Sequence, residues 1–256
     1  LRRQALIGDA ISHVVLPGIV AAFLITGGVA AGPIMLGAGA AAIIAVLLIE
    51  AVKRYGGVEP GAAMGVVFTT LFAAGVLMLE QSHASAVHLD VEHALHGNLE
   101  SLVWFEGDGW GALIDPQKLA SLPDAIPRLA LVALILGGLT VLLWRDLALS
   151  TFDPGYAAAL GRPVRVLSLG LAIAAAIAAV AAFEAVGSII VIAMFICPPA
   201  AARLMTDRLD HQVFWSLFFA VASAVLGFMV AGYGPIWLGF ENAVSAAGGI
   251  AAASGL

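Results

Sequence analysis

The 256 residues are 62% hydrophobic and only 11% charged, with a mean hydropathy of +1.04, a composition that excludes a soluble globular domain and identifies a polytopic membrane protein. The formal net charge of -6 says little about partners in such a chain, because the placement of charge along it matters more than the sum. A single cysteine, Cys197, excludes a disulfide framework and any cysteine-rich metal site.

A hydrocarbon core about 30 Å thick needs roughly 20 apolar residues in a helix. Runs of that kind, broken by charge, glycine and proline, fall at 5–27, 34–52, 61–80, 128–144, 164–183, 187–205, 212–232 and 236–254. Threaded alternately, these eight spans put Arg2, Arg3, Lys53, Arg54, Arg145, Arg162, Arg165, Arg203 and Arg208 on one side and only Lys118 and Arg128 on the other. The positive-inside rule then makes the first side cytoplasmic and places the C-terminus there. The expected fold is all-α, a polytopic transmembrane helical bundle forming one membrane domain over 1–256, with 81–127 as an external loop. Stretches such as AGAAAIIAV and LAIAAAIAAVAA let backbones approach closely where lipid removes the hydrophobic drive for association. The opening LRRQALIGDA lacks a hydrophobic signal region followed by a small-residue cleavage site.

The first span contains GDAISHVVLPG, in which Asp9 and His13 stand one helical turn apart on one face. Ionisable groups at mid-bilayer cost about 2.5–3.5 kcal/mol even on lenient scales, so they usually face a bundle interior and serve a function. Carboxylate oxygen and imidazole nitrogen suit divalent Mn, Fe and Zn. The competing reading has Asp9 complementing the helix dipole while His13 and Ser12 satisfy one another or a neighbouring helix. Two ligands make no closed structural site, and a weak, open one suits an ion in transit.

Further along the chain, the external loop is acidic and holds His83, His88, His93 and His96. Their spacing fits no closed zinc site, so they read as a solvated vestibule whose negative field favours cations rather than as direct ligands. On the cytoplasmic side, TFDPGYAAALGRP reads as a short capped helix: Asp153 as N-cap, Pro154 at the first helical position, and Gly161 with Pro163 ending it. By spacing alone that is an ordinary connector. Glu184 stands at an external turn, where it lines an outer mouth or simply reaches water. Pro198 and Pro199 after Cys197 read as a helix break, and the six methionines are scattered singly as packing residues. His211 belongs to a solvated cytoplasmic loop. The chain has neither a G-x-x-x-x-G-K-[ST] loop nor H-E-x-x-H, so neither an ATPase nor an intramembrane zinc protease is expected of it.

Taken in order, LRRQALIGDAISHVVLPG, GVVFTTLFAAGVLML, LDVEHALHGN, STFDPGYAAALGRPV and VGSIIVIAMFICPPAAARL resemble successive blocks of the membrane permease subunits of ATP-binding-cassette importers for manganese, zinc and iron. The resemblance implies a non-enzymatic pore subunit in a bacterial cytoplasmic membrane. It also implies a second permease subunit, identical or related, an ABC ATPase that hydrolyses ATP, and an extracytoplasmic metal-binding protein. No permanently bound cofactor and no nucleic-acid partner are implied. Asp9 and His13 match the family's D-x-x-S-H residues that contact the metal in transit. Phe152 to Pro163 match its cytoplasmic coupling segment, which makes Phe152, Asp153, Tyr156, Ala159, Leu160, Gly161 and Arg162 the expected ATPase-coupling residues. Members usually carry one more span before the RR-x-ALIGD block, so an upstream span is expected, and the loop after His96 is longer than in many members. The alternative expectation is a secondary metal transporter or channel that needs no ATPase; a third is a structural scaffold in which Asp9 and His13 affect packing only.

Overall fold

The structure is a computed structural model and describes residues 7–28, 30–81, 99, 102, 104, 111, 114–119, 121–237, 239 and 244–256, with the side chains of 7–10, 31, 116, 117 and 184 not described. Among the described residues every regular element is helical: α1 (Ile7–Thr26), α2 (Ala31–Gly56), α3 (Pro60–Gln81), α4 (Pro116–Leu119), α5 (Ala125–Leu142), α6 (Trp144–Phe152), α7 (Pro154–Ala159), α8 (Val164–Val186), α9 (Ser188–Met205), α10 (Leu209–Trp237) and α11 (Ala246–Gly255). Six of them, α2, α3, α5, α8, α9 and α10, are long and apolar enough to cross a membrane, and α1 adds a shorter apolar stretch, Ile11–Thr26. The all-α transmembrane bundle expected from composition is present.

The helices form where uninterrupted apolar sequence leaves the backbone no partner but itself. Their ends follow local chemistry. Lys53 and Arg54 fill the last turn of α2, where cations complement the dipole, and Gly57 closes it in the left-handed region at φ 61°. Gly187, at φ 81°, is the single residue between α8 and α9.

The core is centred on α1. Ile11 and Val15 pack with Ala38, Ala42 and Val46 of α2, with Ala176, Ala179, Val180 and Phe183 of α8, and with Val191 of α9. On another side, Val14 packs with Ala45 of α2 and Val67 of α3. The α1 and α2 backbones cross in contact at Gly18 and Gly37, where an added methyl on either would strike the other's carbonyl. Gly75 of α3 meets Pro17 of α1 in the same manner. These contacts make α2 antiparallel and α3 parallel to α1, the alternation the spans require.

One end of the bundle gathers most of the cations. The α2 C-terminus, with Lys53, meets the starts of α3 and α8, with Arg165, around one cavity, and the α9 C-terminus, with Arg203, meets α6 and the start of α10 around another. Ala172 of α8 lines both. At the opposite end Arg128 of α5 donates to Met35 Sδ of α2 at 3.3 Å.

Two expectations change. Pro198 and Pro199 do not break their helix: α9 continues through both to Met205, and Pro198 is packed in the interior. Each proline removes one donor, a loss the flanking turns of a packed helix absorb. The expected span 236–254 is divided, because α10 keeps its helix through Pro235 to Trp237 and α11 starts only at Ala246. The ten residues of α11 rise about 15 Å and run back along α10 toward the cation-rich end, with Gly227 against Ile250 and Gly249 against Ala231.

Candidate functional site

His13 lies at the middle of the bundle. Gly18 of α1 meets Gly37 of the antiparallel α2, so five residues earlier His13 is level with Ala42, about 21 Å from the cation-rich end of α2 at 1.5 Å per residue. The α3 contacts agree: the His13 ring stacks on Phe68 at 5.7 Å and 28° and meets Phe72 edge-on at 5.5 Å and 80°. Phe68 and Phe72 flank the midpoint of the 22-residue α3. Neighbouring Ser12 is 4% exposed, so Ser12 and His13 both face helix packing rather than lipid.

This arrangement comes from ordinary helix geometry. Ile11, Val14 and Val15 face the core, which turns His13 toward α3. Phe68 and Phe72 sit at i and i+4 and present two rings from one face. Their negative faces and positive edges hold an imidazole in a defined orientation. Asp9 occupies the turn of α1 before His13, on the same face by spacing, and its side chain is outside the description. Among the described residues no group of three or more His, Cys, Asp or Glu gathers in a metal-holding cluster. His83, His88, His93 and His96 lie outside the described residues. Glu184 falls in the last turn of α8, at the end away from the cations, and its side chain is also outside the description.

The second region is the connector at the cation-rich end. The Asp153 carboxylate accepts from the Tyr156 N–H at 2.8 Å, with Pro154 in the first turn of α7. At the other end Gly161 adopts φ 75°, its N–H bonding to the Ala158 carbonyl at 2.9 Å and the Arg162 N–H to the Ala157 carbonyl at 3.0 Å. That pair of bonds is a Schellman closure, which needs a residue without a Cβ at the left-handed position. Arg162 returns to Asp146 of α6 at 3.3 Å. Ala157 and Ser150 are fully buried where α6 and α7 join, while Phe152, Tyr156 and Leu160 are more than half exposed. Three large side chains thus project from a knob capped at both ends. Ala159 sits in the last turn of α7 and is exposed.

Sequence reasoning missed Phe68 and Phe72, although aromatics at i, i+4 in the third span were the available signal. It also missed Gln212, 4% exposed, whose Nε2 has no hydrogen-bond partner among the described residues.

The model of the family described as "ABC 3 transport family" matches residues 1–104 and 120–237. The chain is 38% identical over 256 residues to the manganese transport system membrane protein MntD of Bacillus subtilis, covering 100% of this chain and 81% of that protein. It is 34% identical over 198 residues to the zinc transport system membrane protein TroD of Treponema pallidum, covering 77% of this chain and 52% of that protein. Among solved structures, PsaBC from Streptococcus pneumoniae in complex with Fab superposes with a TM-score of 0.70 at 26% identity, covering 99% of this chain and 79% of that one.

Proposed function

Because the chain belongs to the ABC 3 transport family, we propose that it is the permease subunit of an ABC importer carrying a divalent transition-metal ion, Mn, Zn or Fe, into the cytoplasm. The observation that carries the reading is the position of His13: an imidazole at mid-depth of a membrane bundle, held between two aromatic rings. Ionisable side chains at that depth mark ion pathways.

In this reading Asp9 and His13 contact the metal substrate in transit. A second permease subunit related by a two-fold axis would bring a matching pair to the same ion, which supplies the donors one chain lacks. The cation-rich end faces the cytoplasm, α11 heads toward it as a cytoplasmic C-terminus requires, and the membrane is the cytoplasmic one. The α7 knob, through Phe152, Tyr156 and Leu160, docks a separate ATPase subunit, with Asp153, Ala159, Gly161 and Arg162 shaping it. ATP binding there is felt at α1 through α8, a rigid helix that begins four residues after Leu160 and packs Ala176, Ala179 and Val180 against Ile11 and Val15. An external metal-binding protein delivers the ion at the opposite end, where the histidine-bearing loop and Glu184 belong.

The test is ATP-dependent uptake of Mn, Zn and Fe into vesicles holding the permease, its ATPase and its binding protein. Asp9→Ala and His13→Ala are expected to lower uptake of one metal by at least about tenfold, the scale on which loss of metal-site support acts, while the complex still assembles and hydrolyses ATP. Undiminished uptake in both variants would refute the site.

A further inference from the structure

A cavity of about 570 Å³ opens between α6, α8, α9 and α10 at the cation-rich end. Its walls are almost wholly apolar, including Leu171, Phe195, Val213 and Leu217. It reaches from Arg203, two residues before the end of α9, to Phe195, so its depth is about 12 Å at 1.5 Å per residue. That is roughly the hydrocarbon thickness of one leaflet, half of a core about 30 Å thick. The lining includes Gln212, nearly fully buried, with an Nε2 that no group among the described residues satisfies. A buried amide donor without a partner is costly, so such a group points to an acceptor that arrives from outside the chain.

We propose that this cavity seats one phospholipid of the cytoplasmic leaflet. Its acyl chain lies along Leu171, Phe195 and Leu217, its glycerol ester carbonyl accepts from Gln212 Nε2, and its phosphate meets Arg203 at the rim. Three features favour a lipid over other occupants. The cavity's apolar depth matches one leaflet, the buried Gln212 amide offers a donor for an ester carbonyl, and the lining includes a cation, Arg203, and Trp144, the residue types of a headgroup boundary. Arg203 now pairs with Asp207 at 2.9 Å and donates to the Thr206 carbonyl at 3.4 Å. Asp207 is 95% exposed, and an exposed pair of that kind yields readily to a phosphate.

The site also has a place in the transport cycle. Trp144, Leu147 and Thr151 form its α6 wall, and α6 leads directly into α7. A lipid seated there props α6 against α9 and α10, so its occupancy sets the position of the ATPase-docking knob. This consequence rests on the coupling reading above; the binding itself does not.

The experiment reconstitutes the complete transporter in nanodiscs of phosphatidylethanolamine and phosphatidylglycerol containing doxyl-labelled phosphatidylglycerol. The motionally restricted lipid fraction is read by electron spin resonance, alongside ATPase activity. Gln212→Leu, close in shape and without the donor, is expected to weaken the restricted component by about fivefold, the size of one net hydrogen bond. Ala175→Phe, which fills the cavity from α8, is expected to abolish it. Size-exclusion profiles identify any variant that fails to assemble, and Gln212→Leu, an apolar replacement in an apolar wall, keeps the test open if Ala175→Phe fails. A restricted fraction unchanged in Gln212→Leu would overturn the proposal. So would loss of subunit pairing in a folded Ala175→Phe protein with the lipid signal intact, since the cavity would then be a contact between copies.

Discussion

Replacing Gly37 by alanine separates the packing argument from composition. A Cβ on Gly37 would stand 2.7 Å from the Ala22 Cβ and against the Gly18 carbonyl of α1. Carbon atoms rest at roughly 3.5–4.0 Å, so α1 and α2 must part by about 1 Å. Neither partner is a flexible side-chain end, and overpacking of this kind costs about 1–3 kcal/mol. Gly39, two residues along the same helix, has open space where a Cβ would stand, with nothing within 4 Å. Alanine there should instead gain up to about 1 kcal/mol from helix propensity. The two variants have the same composition and opposite expected signs. Denaturant or thermal unfolding of the detergent-purified protein measures the difference, expected at about 1–3 kcal/mol, the overpacking term, because the propensity gain is common to both positions. Metal uptake adds a second readout, because a shift of α1 carries His13, five residues before Gly18, away from Phe68 and Phe72. Equal stability of Gly37→Ala and Gly39→Ala would refute the claim that backbone contact sets the α1–α2 register.

Other expectations concern the knob at the cation-rich end. Asp153→Ala removes the cap bond to Tyr156 and should cost about 1 kcal/mol locally, and Gly161→Ala places a Cβ in the left-handed region at a cost of about 1–2 kcal/mol; both should uncouple ATP hydrolysis from uptake, with Asp153→Asn retaining coupling. Hydrogen exchange of the Tyr156 and Ala157 amides checks the local loosening, and unaltered exchange would argue against the cap's role. Phe152→Ala, Tyr156→Ala and Leu160→Ala remove exposed side chains, so stability should move by less than about 0.5 kcal/mol. Co-purification of the ATPase subunit should nonetheless fall by about 2 kcal/mol or more for the dominant contact. Retention of the ATPase by all three variants would place the docking surface elsewhere.

Legibility differed from one element to the next. The α7 connector could be read almost completely, because Asp153, Pro154 and Gly161 act through backbone rules that span only a few residues. The cationic end of α2 followed from equally local signals, whereas the turn expected around Glu184 falls at Gly187, with Glu184 inside the last turn of α8. The α9 prolines were misread for the converse reason: local rules expect a break, and packing around the buried Pro198 keeps the helix whole. The α10 boundary shifted likewise, since helical geometry carried through Pro235.

From its sequence alone, the chain's commitment to a membrane was determined, along with the helical class, the approximate spans, the segregation of cations and the pairing of Asp9 with His13 on one helical face. These follow from the thickness of a bilayer, from the need to satisfy every backbone group without water, and from the 3.6-residue repeat. Tertiary structure decided the depth of His13, its position between Phe68 and Phe72, the contact of Gly18 with Gly37, and the burial of Gln212 beside an open cavity. In water, an apolar stripe reveals which face of a helix is covered. In lipid both the covered and the uncovered faces are apolar, so the pattern leaves rotation and register open, and only the fit of one helix surface against another selects them.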